Sequence, residues 1–74
     1  MIDKYTQRYK IIGLKISYYR KLKGFSQIEL AEMLDISRTH LSNIEAPNVP
    51  TSVSLELLFK ISDALEVNIK DFFD

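Results

Sequence analysis

Short polar and basic side chains are concentrated in one segment of the chain, which contains Arg38, Thr39, His40, Ser42 and Asn43. If this segment is an α-helix, with about 100° between successive residues, Thr39, Ser42 and Asn43 share one face. Arg38 and His40 flank that face near the helix N-terminus. Arg and Asn can form paired hydrogen bonds with guanine and adenine edges, and a Thr methyl can contact thymine. The pattern therefore indicates a helix that reads base edges in a DNA groove.

The same sequence offers little for catalysis or metal binding. His40 is the single histidine, and the chain has no cysteine. A histidine without further ligands at a suitable spacing is a poor metal site, and as a catalytic base it lacks a nucleophile partner. The two glycines, Gly13 and Gly24, do not form a phosphate-binding loop. We therefore expect no enzymatic activity, no metal and no cofactor.

The helix before the polar segment is indicated by its capping residues. Ser26 and Glu29 match a capping box, in which the serine oxygen accepts from the N3 amide and the glutamate reaches back. Gly24 suits the end of the preceding helix, because glycine adopts left-handed geometry without strain. We predict a helix over residues 27–34, in which the small Ala31 lets a second helix cross closely. Its apolar positions are Ile28, Leu30, Ala31 and Leu34.

A turn and a second cap follow directly. Asp35 is the predicted turn residue, and Ser37 is the predicted N-cap of a helix over residues 38–46. Leu41 and Ile44 point from this helix toward a core. Two capped amphipathic helices could simply be core helices of a small bundle. The short turn, the second cap and the polar outer face favour a helix-turn-helix that places its second helix in the major groove.

Residues 26–46 resemble the helix-turn-helix of the family of phage Cro and repressor proteins and Xre regulators. The matching residues are Ser26, Gln27, Leu30, Ala31, Ile36, Ser37, Leu41, Ser42, Ile44 and Glu45. Upstream, the family's first helix is matched by Ile12, Gly13, Ile16 and Arg20. Downstream, its last two helices are matched by Leu58, Ile61, Ala64, Leu65, Val67, Ile69, Phe72 and Phe73. The resemblance covers residues 11–73 and implies an all-α, compact five-helix, lambda-repressor-like DNA-binding domain with a central helix-turn-helix.

The resemblance also implies roles for individual residues. The implied base contacts are Arg38, Thr39, Ser42 and Asn43. The implied phosphate contacts are Gln27, Ser37 and His40. Arg20 of the first helix is implied to pair with Glu45 at the end of the reading helix, and this pair would hold the reading helix at its angle. We therefore do not expect Arg20 to contact DNA.

The chain departs from the family pattern at three places. Asp35 and Glu66 stand where the family favours glycine. Asp tolerates left-handed backbone geometry, whereas for Glu66 we expect a local turn of different geometry. The loop that follows Glu45 is about two residues longer than is usual in the family, and in relatives this loop lies near the DNA backbone.

The charge of the chain is unevenly distributed although its net charge is zero. Residues 1–28 contain seven Lys and Arg against one acidic residue, whereas residues 29–74 contain three against nine. The asymmetry suggests a molecule with one side that attracts DNA, although a solvated helix face would show the same pattern. Because few Lys and Arg residues lie near the reading helix, a DNA complex should be sensitive to salt. Neutral net charge also leaves open a protein-interaction module that keeps the fold without binding DNA.

The first helix should run to Lys23, with Asp3 or Thr6 as its cap and with an inner face that contains Ile12, Ile16 and Tyr19. Residues 1–10 precede the domain proper, which we assign to residues 11–74. This N-terminal extension could begin the first helix, form an arm on DNA, or pack against a partner subunit.

The C-terminal part should contain two further helices. Ser54 is the predicted cap of a helix over residues 55–65, whose apolar stripe contains Leu55, Leu58, Ile61 and Leu65. Asn68 should open a last short helix. One of its two phenylalanines should close the core, while the other is left for a partner, because an exposed Phe is costly. The candidate dimer residues are Val67, Ile69, Phe72 and Phe73.

Length and composition complete the prediction. A chain of 74 residues forms one domain with no space for a small-molecule effector domain, and it has no apolar run long enough to cross a membrane. We expect a cytoplasmic, sequence-specific transcriptional regulator, a repressor that binds a palindromic operator in double-stranded DNA as a homodimer. A phage switch, a restriction–modification controller and an antitoxin all remain possible settings.

Overall fold

The computed structural model describes residues 4–49 and 51–73. This part of the chain is helical and has no strand. Its elements are the α-helices α1 (Lys4–Lys23), α2 (Gln27–Leu34), α3 (Arg38–Glu45) and α4 (Leu55–Leu65), followed by a 3₁₀ helix (Ile69–Phe72). The all-α prediction is therefore confirmed, and the predicted bounds of α2 and α4 agree with those observed.

Helix α1 includes residues 4–10, so the described part of the N-terminal extension begins the first helix. Thr6 lies inside α1 and is not its cap, because the helix already starts at Lys4. The alternative cap, Asp3, lies outside the described residues. Ile12 and Ile16 are buried on the inner side of α1, and Tyr19 packs against the same core.

Serine caps begin the other three α-helices, as predicted. The Oγ atom of each serine accepts a hydrogen bond from the amide three residues on, at 3.0 Å for Ser26 and Ser37 and 3.1 Å for Ser54. The capping box is complete, because the Ser26 amide also donates to Glu29 Oε1 at 2.8 Å. That backbone hydrogen bond is the main cause of the lowered pKa of Glu29. Each helix start is thus set by a side chain that occupies an otherwise unpaired amide.

Two non-glycine residues end helices in left-handed geometry. Asp35 after α2 and Glu66 after α4 both have φ 57° and ψ 44°. The expectation of a different turn at Glu66 is wrong. Its turn closes as a Schellman motif, in which the Val67 amide donates to the Ser62 carbonyl at 3.0 Å. The Glu66 carboxylate accepts a 2.5 Å hydrogen bond from Lys23, which lowers the pKa of Glu66.

The core is a single apolar cluster between the helices. Its fully buried large residues are Ile16, Leu30, Leu41, Ile61, Leu65 and Phe72. Two positions counted in the predicted apolar stripes, Ile28 and Leu55, are exposed instead. Ile28 lies in the first turn of α2, and Leu55 lies in the first turn of α4.

The predicted last short helix is present, and its geometry is 3₁₀ rather than α. It is a 3₁₀ helix with hydrogen bonds three residues apart, from Asp71 to Asn68 at 2.9 Å and from Phe73 to Lys70 at 3.1 Å. Asn68 is the N-cap residue that opens this helix, as predicted, although its side chain makes no capping hydrogen bond. Helical segments of only three or four residues commonly adopt this tighter geometry. The tight turn brings Phe72 into the core, where the Tyr19 ring meets it edge-on at 5.7 Å between centroids.

Helices α1 and α3 approach each other closely at Gly13. A Cβ atom built at Gly13 would overlap the carbonyl oxygen of Ile44 and would lie 3.2 Å from its carbonyl carbon. Only a residue without a side chain fits there. This backbone contact places the C-terminal part of α3 directly against the first helix.

Gly13→Ala is expected to lower the free energy of unfolding by about 2 kcal/mol, because overlap with a backbone atom places the overpacking cost at the upper end of its usual range of about 1–3 kcal/mol. The added methyl would force α3 away from α1, which outweighs the ~1 kcal/mol by which alanine favours a helix over glycine. Chemical denaturation measures the change. Gln7→Ala, at an exposed position of α1, is the control and should stay within about 0.5 kcal/mol. A Gly13→Ala protein as stable as the parent would contradict the close contact.

Candidate nucleic-acid interface

The polar residues of α3 lie on its outer side. Arg38, Thr39, His40 and Asn43 are exposed, and Ser42 is half-buried. The opposite side of the helix is anchored by buried apolar side chains, which are Leu41 and Ile44. The four side chains with the implied base-reading role are therefore together on an accessible helix, and none of them is used to hold the core.

The connection between α2 and α3 is short and is closed by backbone hydrogen bonds. The Asp35 amide donates to the Glu32 carbonyl at 3.2 Å, and the Ile36 amide donates to the Ala31 carbonyl at 3.0 Å. This is a Schellman motif, and Ser37 then caps α3 directly. Because every residue of the turn has a defined bonding role, the outer face of α3 is held in a fixed relation to α2.

Arg20 and Glu45 form a buried ion pair between α1 and the last residue of α3. Arg20 Nε donates to Glu45 Oε2 at 2.8 Å, and Arg20 Nη2 donates to Glu45 Oε1 at 2.9 Å. The two side chains are 8% and 4% exposed. Arg20 Nη1 also donates to the Phe25 carbonyl at 2.7 Å. The structure thus brings together the pair implied by the family resemblance and adds a bond to Phe25, which directly precedes the cap of α2.

Gln27 joins this pair, which sequence reasoning did not anticipate. Its Nε2 atom donates to Glu45 Oε1 at 3.0 Å, across 18 positions of the chain. Gln27 was assigned only a phosphate role. Both residues belong to the matched family pattern, but no periodicity relates positions so far apart. The contact fixes the Gln27 side chain at the N-terminus of α2 while leaving one of its two amide N–H groups available.

The Arg20–Glu45–Gln27 network lies beside an open depression between α1, the start of α2 and the end of α3. Its lining includes Leu14, Lys21, Gln27, Ser42 and Pro47. Gln27, an implied phosphate contact, and Ser42, an implied base contact, therefore border the same concave surface. Ser37 Oγ accepts the capping hydrogen bond of α3, and its hydroxyl proton is left to be donated to another partner.

The four candidate dimer residues are separated by the structure. Phe72 is fully buried, so its assignment to a dimer surface is wrong: the tight 3₁₀ turn directs it into the core. Phe73 is 57% exposed and borders an open pocket with residues of α1, including Tyr9. Val67 and Ile69 are half-buried against the core.

Within residues 4–49 and 51–73, no three His, Cys, Asp or Glu side chains are grouped so that they could hold a metal ion. His40 is exposed on α3. Across the same described residues, the helices are too short or too polar for any of them to span a bilayer.

Comparison with known proteins identifies the family. A Helix-turn-helix family model matches residues 16–72, so the chain belongs to this helix-turn-helix family. It is 41% identical over 64 residues to the HTH-type transcriptional regulator SinR of Bacillus subtilis, a match that covers 86% of this chain and 57% of SinR. It is 42% identical over 64 residues to the B. subtilis regulator SlrR, covering 86% of this chain and 41% of SlrR.

Solved structures agree with this family membership. The crystal structure of SinR in complex with DNA superimposes with a TM-score of 0.77 at 41% identity, covering 85% of this chain and 98% of that one. The restriction–modification controller protein C.AhdI from Aeromonas hydrophila gives a TM-score of 0.79 at 26% identity, covering 88% and 96%. The chain spans about half the length of the curated relatives it matches first. These relatives are named as transcriptional regulators and not as enzymes.

Arg20→Ala should lower the free energy of unfolding by about 3–5 kcal/mol, or leave the domain unfolded, because the Glu45 carboxylate would stay buried without its partner. Thermal and urea unfolding measure the effect. Lys23→Ala is the matched control: it breaks the solvent-exposed bridge to Glu66 and should change the melting temperature little. Equal melting temperatures for Arg20→Ala and the parent would refute the structural role of the pair.

Proposed function

We propose that this chain is a sequence-specific DNA-binding transcriptional regulator. The observation that carries the proposal is the exposed polar face of α3, held against α1 and α2 by the Arg20–Glu45–Gln27 network. The likeness to SinR, whose structure has been solved in complex with DNA, supports the same role for the domain. A protein-interaction module with this fold is the alternative.

The base contacts are assigned to the outer face of α3 in the major groove. Arg38 is the residue for a bidentate contact with guanine O6 and N7, and Asn43 for adenine N6 and N7. Thr39 supplies a methyl group for thymine, and Ser42 adds a hydroxyl at the edge of the depression. Each bidentate pair discriminates against the wrong base by about 1–3 kcal/mol.

The phosphate contacts are assigned to the helix starts. Gln27 stands at the first position of α2, where free backbone amides and the positive end of the helix dipole attract an anion. Its bond to Glu45 holds its amide group in place, and its second N–H is free to donate to a phosphate oxygen. Ser37 and His40 are assigned the same role at the start of α3. Contacts of this type fix the position of the protein on the duplex and give no preference for particular bases.

Specific binding calls for two copies of so small a reading unit. A homodimer on a palindromic operator would place two α3 helices in successive major grooves, about 34–36 Å apart. Occupation of such an operator in the cytoplasm is a route to repression. The fold is shared with a restriction–modification controller at 26% identity, which leaves the biological setting open among controller, phage switch and antitoxin.

Selection from a random duplex library tests the base contacts. The parent protein should enrich a two-fold symmetric site, and Arg38→Ala/Asn43→Ala should lose that enrichment because both bidentate contacts are removed. Lys60→Ala is the control, since it removes a positive charge from α4, away from the reading helix, and should retain the same base preferences.

Two results would contradict this account. If the double variant selected the same site as the parent, α3 would not be the base reader. If the folded parent enriched no sequence at low salt, the protein-interaction alternative would replace DNA binding.

Phe73→Ser should weaken self-association, because it removes an exposed aromatic ring beside the N-terminal part of α1. Sedimentation velocity should show a larger monomer fraction, and affinity for a two-fold site should fall while binding to a half-site is unchanged. Leu55→Ser removes an equally exposed apolar side chain on α4 and is the control. Unchanged sedimentation of Phe73→Ser would remove this residue from the dimer surface.

A further inference from the structure

Helix α1 has two apolar faces. Its inner face packs Ile12 and Ile16 into the core. Four large apolar residues lie on the opposite side and are 44–65% exposed, namely Ile11, Leu14, Tyr18 and Leu22. At about 100° per residue they fall within an arc of about 80°. We call these four residues the outer stripe.

The outer stripe is continuous and straight. Its spacings of three, four and four residues keep it on one side of the helix, over a length of about 16 Å at 1.5 Å per residue. Isolated exposed apolar residues are ordinary on a protein surface, whereas an aligned row of four on one helix marks a surface suited to a partner. Within the described residues the stripe is only partly covered: the Tyr18 ring meets the Tyr19 ring edge-on at 5.1 Å, Ile11 borders a pocket with Phe73, and Leu14 borders the depression lined by Gln27 and Ser42.

The flanks of the outer stripe are basic. Lys15 lies on one side, and Lys10 and Lys21 lie on the other. The whole of α1, from Lys4 to Lys23, contains no acidic residue. Among the described residues, no carboxylate lies within ion-pair distance of these three lysines. The stripe is thus an apolar seam bordered by unneutralised positive charge.

We propose that the outer stripe docks an amphipathic α-helix of a partner protein, with an apolar seam bordered by Asp and Glu. The seam of the partner would pack along Leu14, Tyr18 and Leu22 while its carboxylates face the lysines. Apolar anchors at helical spacing are the usual means by which one helix recognises another, and flanking charges select the partner.

Two other occupants fit the stripe less well. A membrane-bound helix buries a wide apolar face, whereas this stripe is narrow and α1 cannot rotate, because its other face is fixed in the core. A second α1 would bring lysines opposite lysines. An acidic amphipathic helix fits both the narrow apolar stripe and the positive charge of the flanking lysines. The inference does not depend on the DNA-binding role of α3, although Leu14 and Lys21 also line the depression that Gln27 and Ser42 border.

A pair of synthetic peptides tests the proposal by fluorescence anisotropy. Both form amphipathic helices with leucine at the a and d positions of three heptads, and the flanking e and g positions are Glu in one and Lys in the other. The parent protein should bind the Glu peptide saturably and the Lys peptide at least tenfold more weakly. Leu14→Gln/Leu22→Gln should weaken Glu-peptide binding at least tenfold. Ile28→Gln/Leu55→Gln, which removes exposed aliphatic surface from α2 and α4, should leave it unchanged.

Several outcomes would overturn the proposal. They are absence of binding to the Glu peptide, equal affinity for the two peptides, and an equal loss in both variant pairs. Binding to phosphatidylglycerol vesicles that only Leu14→Gln/Leu22→Gln abolishes would assign the stripe to a lipid surface instead. A change from dimer to monomer in that variant alone would assign it to a second copy of the chain. Circular dichroism confirms that each variant is folded.

Discussion

The orientation of α3 depends on one buried carboxylate. Glu45, the last residue of α3, accepts two hydrogen bonds from Arg20 and a third from Gln27. A charge removed from water is costly unless it is paired and fully bonded, so this carboxylate is stable only when α1, α2 and α3 are all in place. The network therefore forms completely only when these three helices are correctly packed. It connects the end of α3 to both α1 and α2.

The remaining constraints on α3 act at other points along it. Gly13 brings the backbone of α1 against the Ile44 carbonyl, and Ser37 fixes the start of the helix through its cap. The buried Leu41 fixes its rotation about the helix axis. Because both ends of α3 and its rotation about its own axis are fixed, its polar face points in one fixed direction. A base-reading helix needs this rigidity, because paired hydrogen bonds to base edges tolerate little displacement.

Local chemistry was predictable from the sequence, whereas among the contacts between distant positions only the Arg20–Glu45 pair was, through the family resemblance. Serine caps and apolar periodicity located α2 and α4, because these signals act within one or two helical turns. The Gln27–Glu45 bond and the role of Gly13 depend on how helices cross, which spacing does not encode. The sequence predicted that one of the two adjacent phenylalanines closes the core but not which one, because only the 3₁₀ turn decides that Phe72 is buried and Phe73 is exposed. Glu66 shows that a Schellman motif can form without glycine.

A double-mutant cycle on Arg20 and Glu45, read as affinity for the selected duplex, tests the central claim most directly. Arg20→Met, Glu45→Met and the double variant are compared with the parent at a temperature where all four are folded. If the pair positions α3 for DNA, the effect of the double change on the binding free energy should differ from the sum of the two single effects by more than ~0.5 kcal/mol. Independent sites add to within that amount. Additive effects, or unchanged affinity in both single variants, would show that the buried pair does not set the geometry of the reading helix.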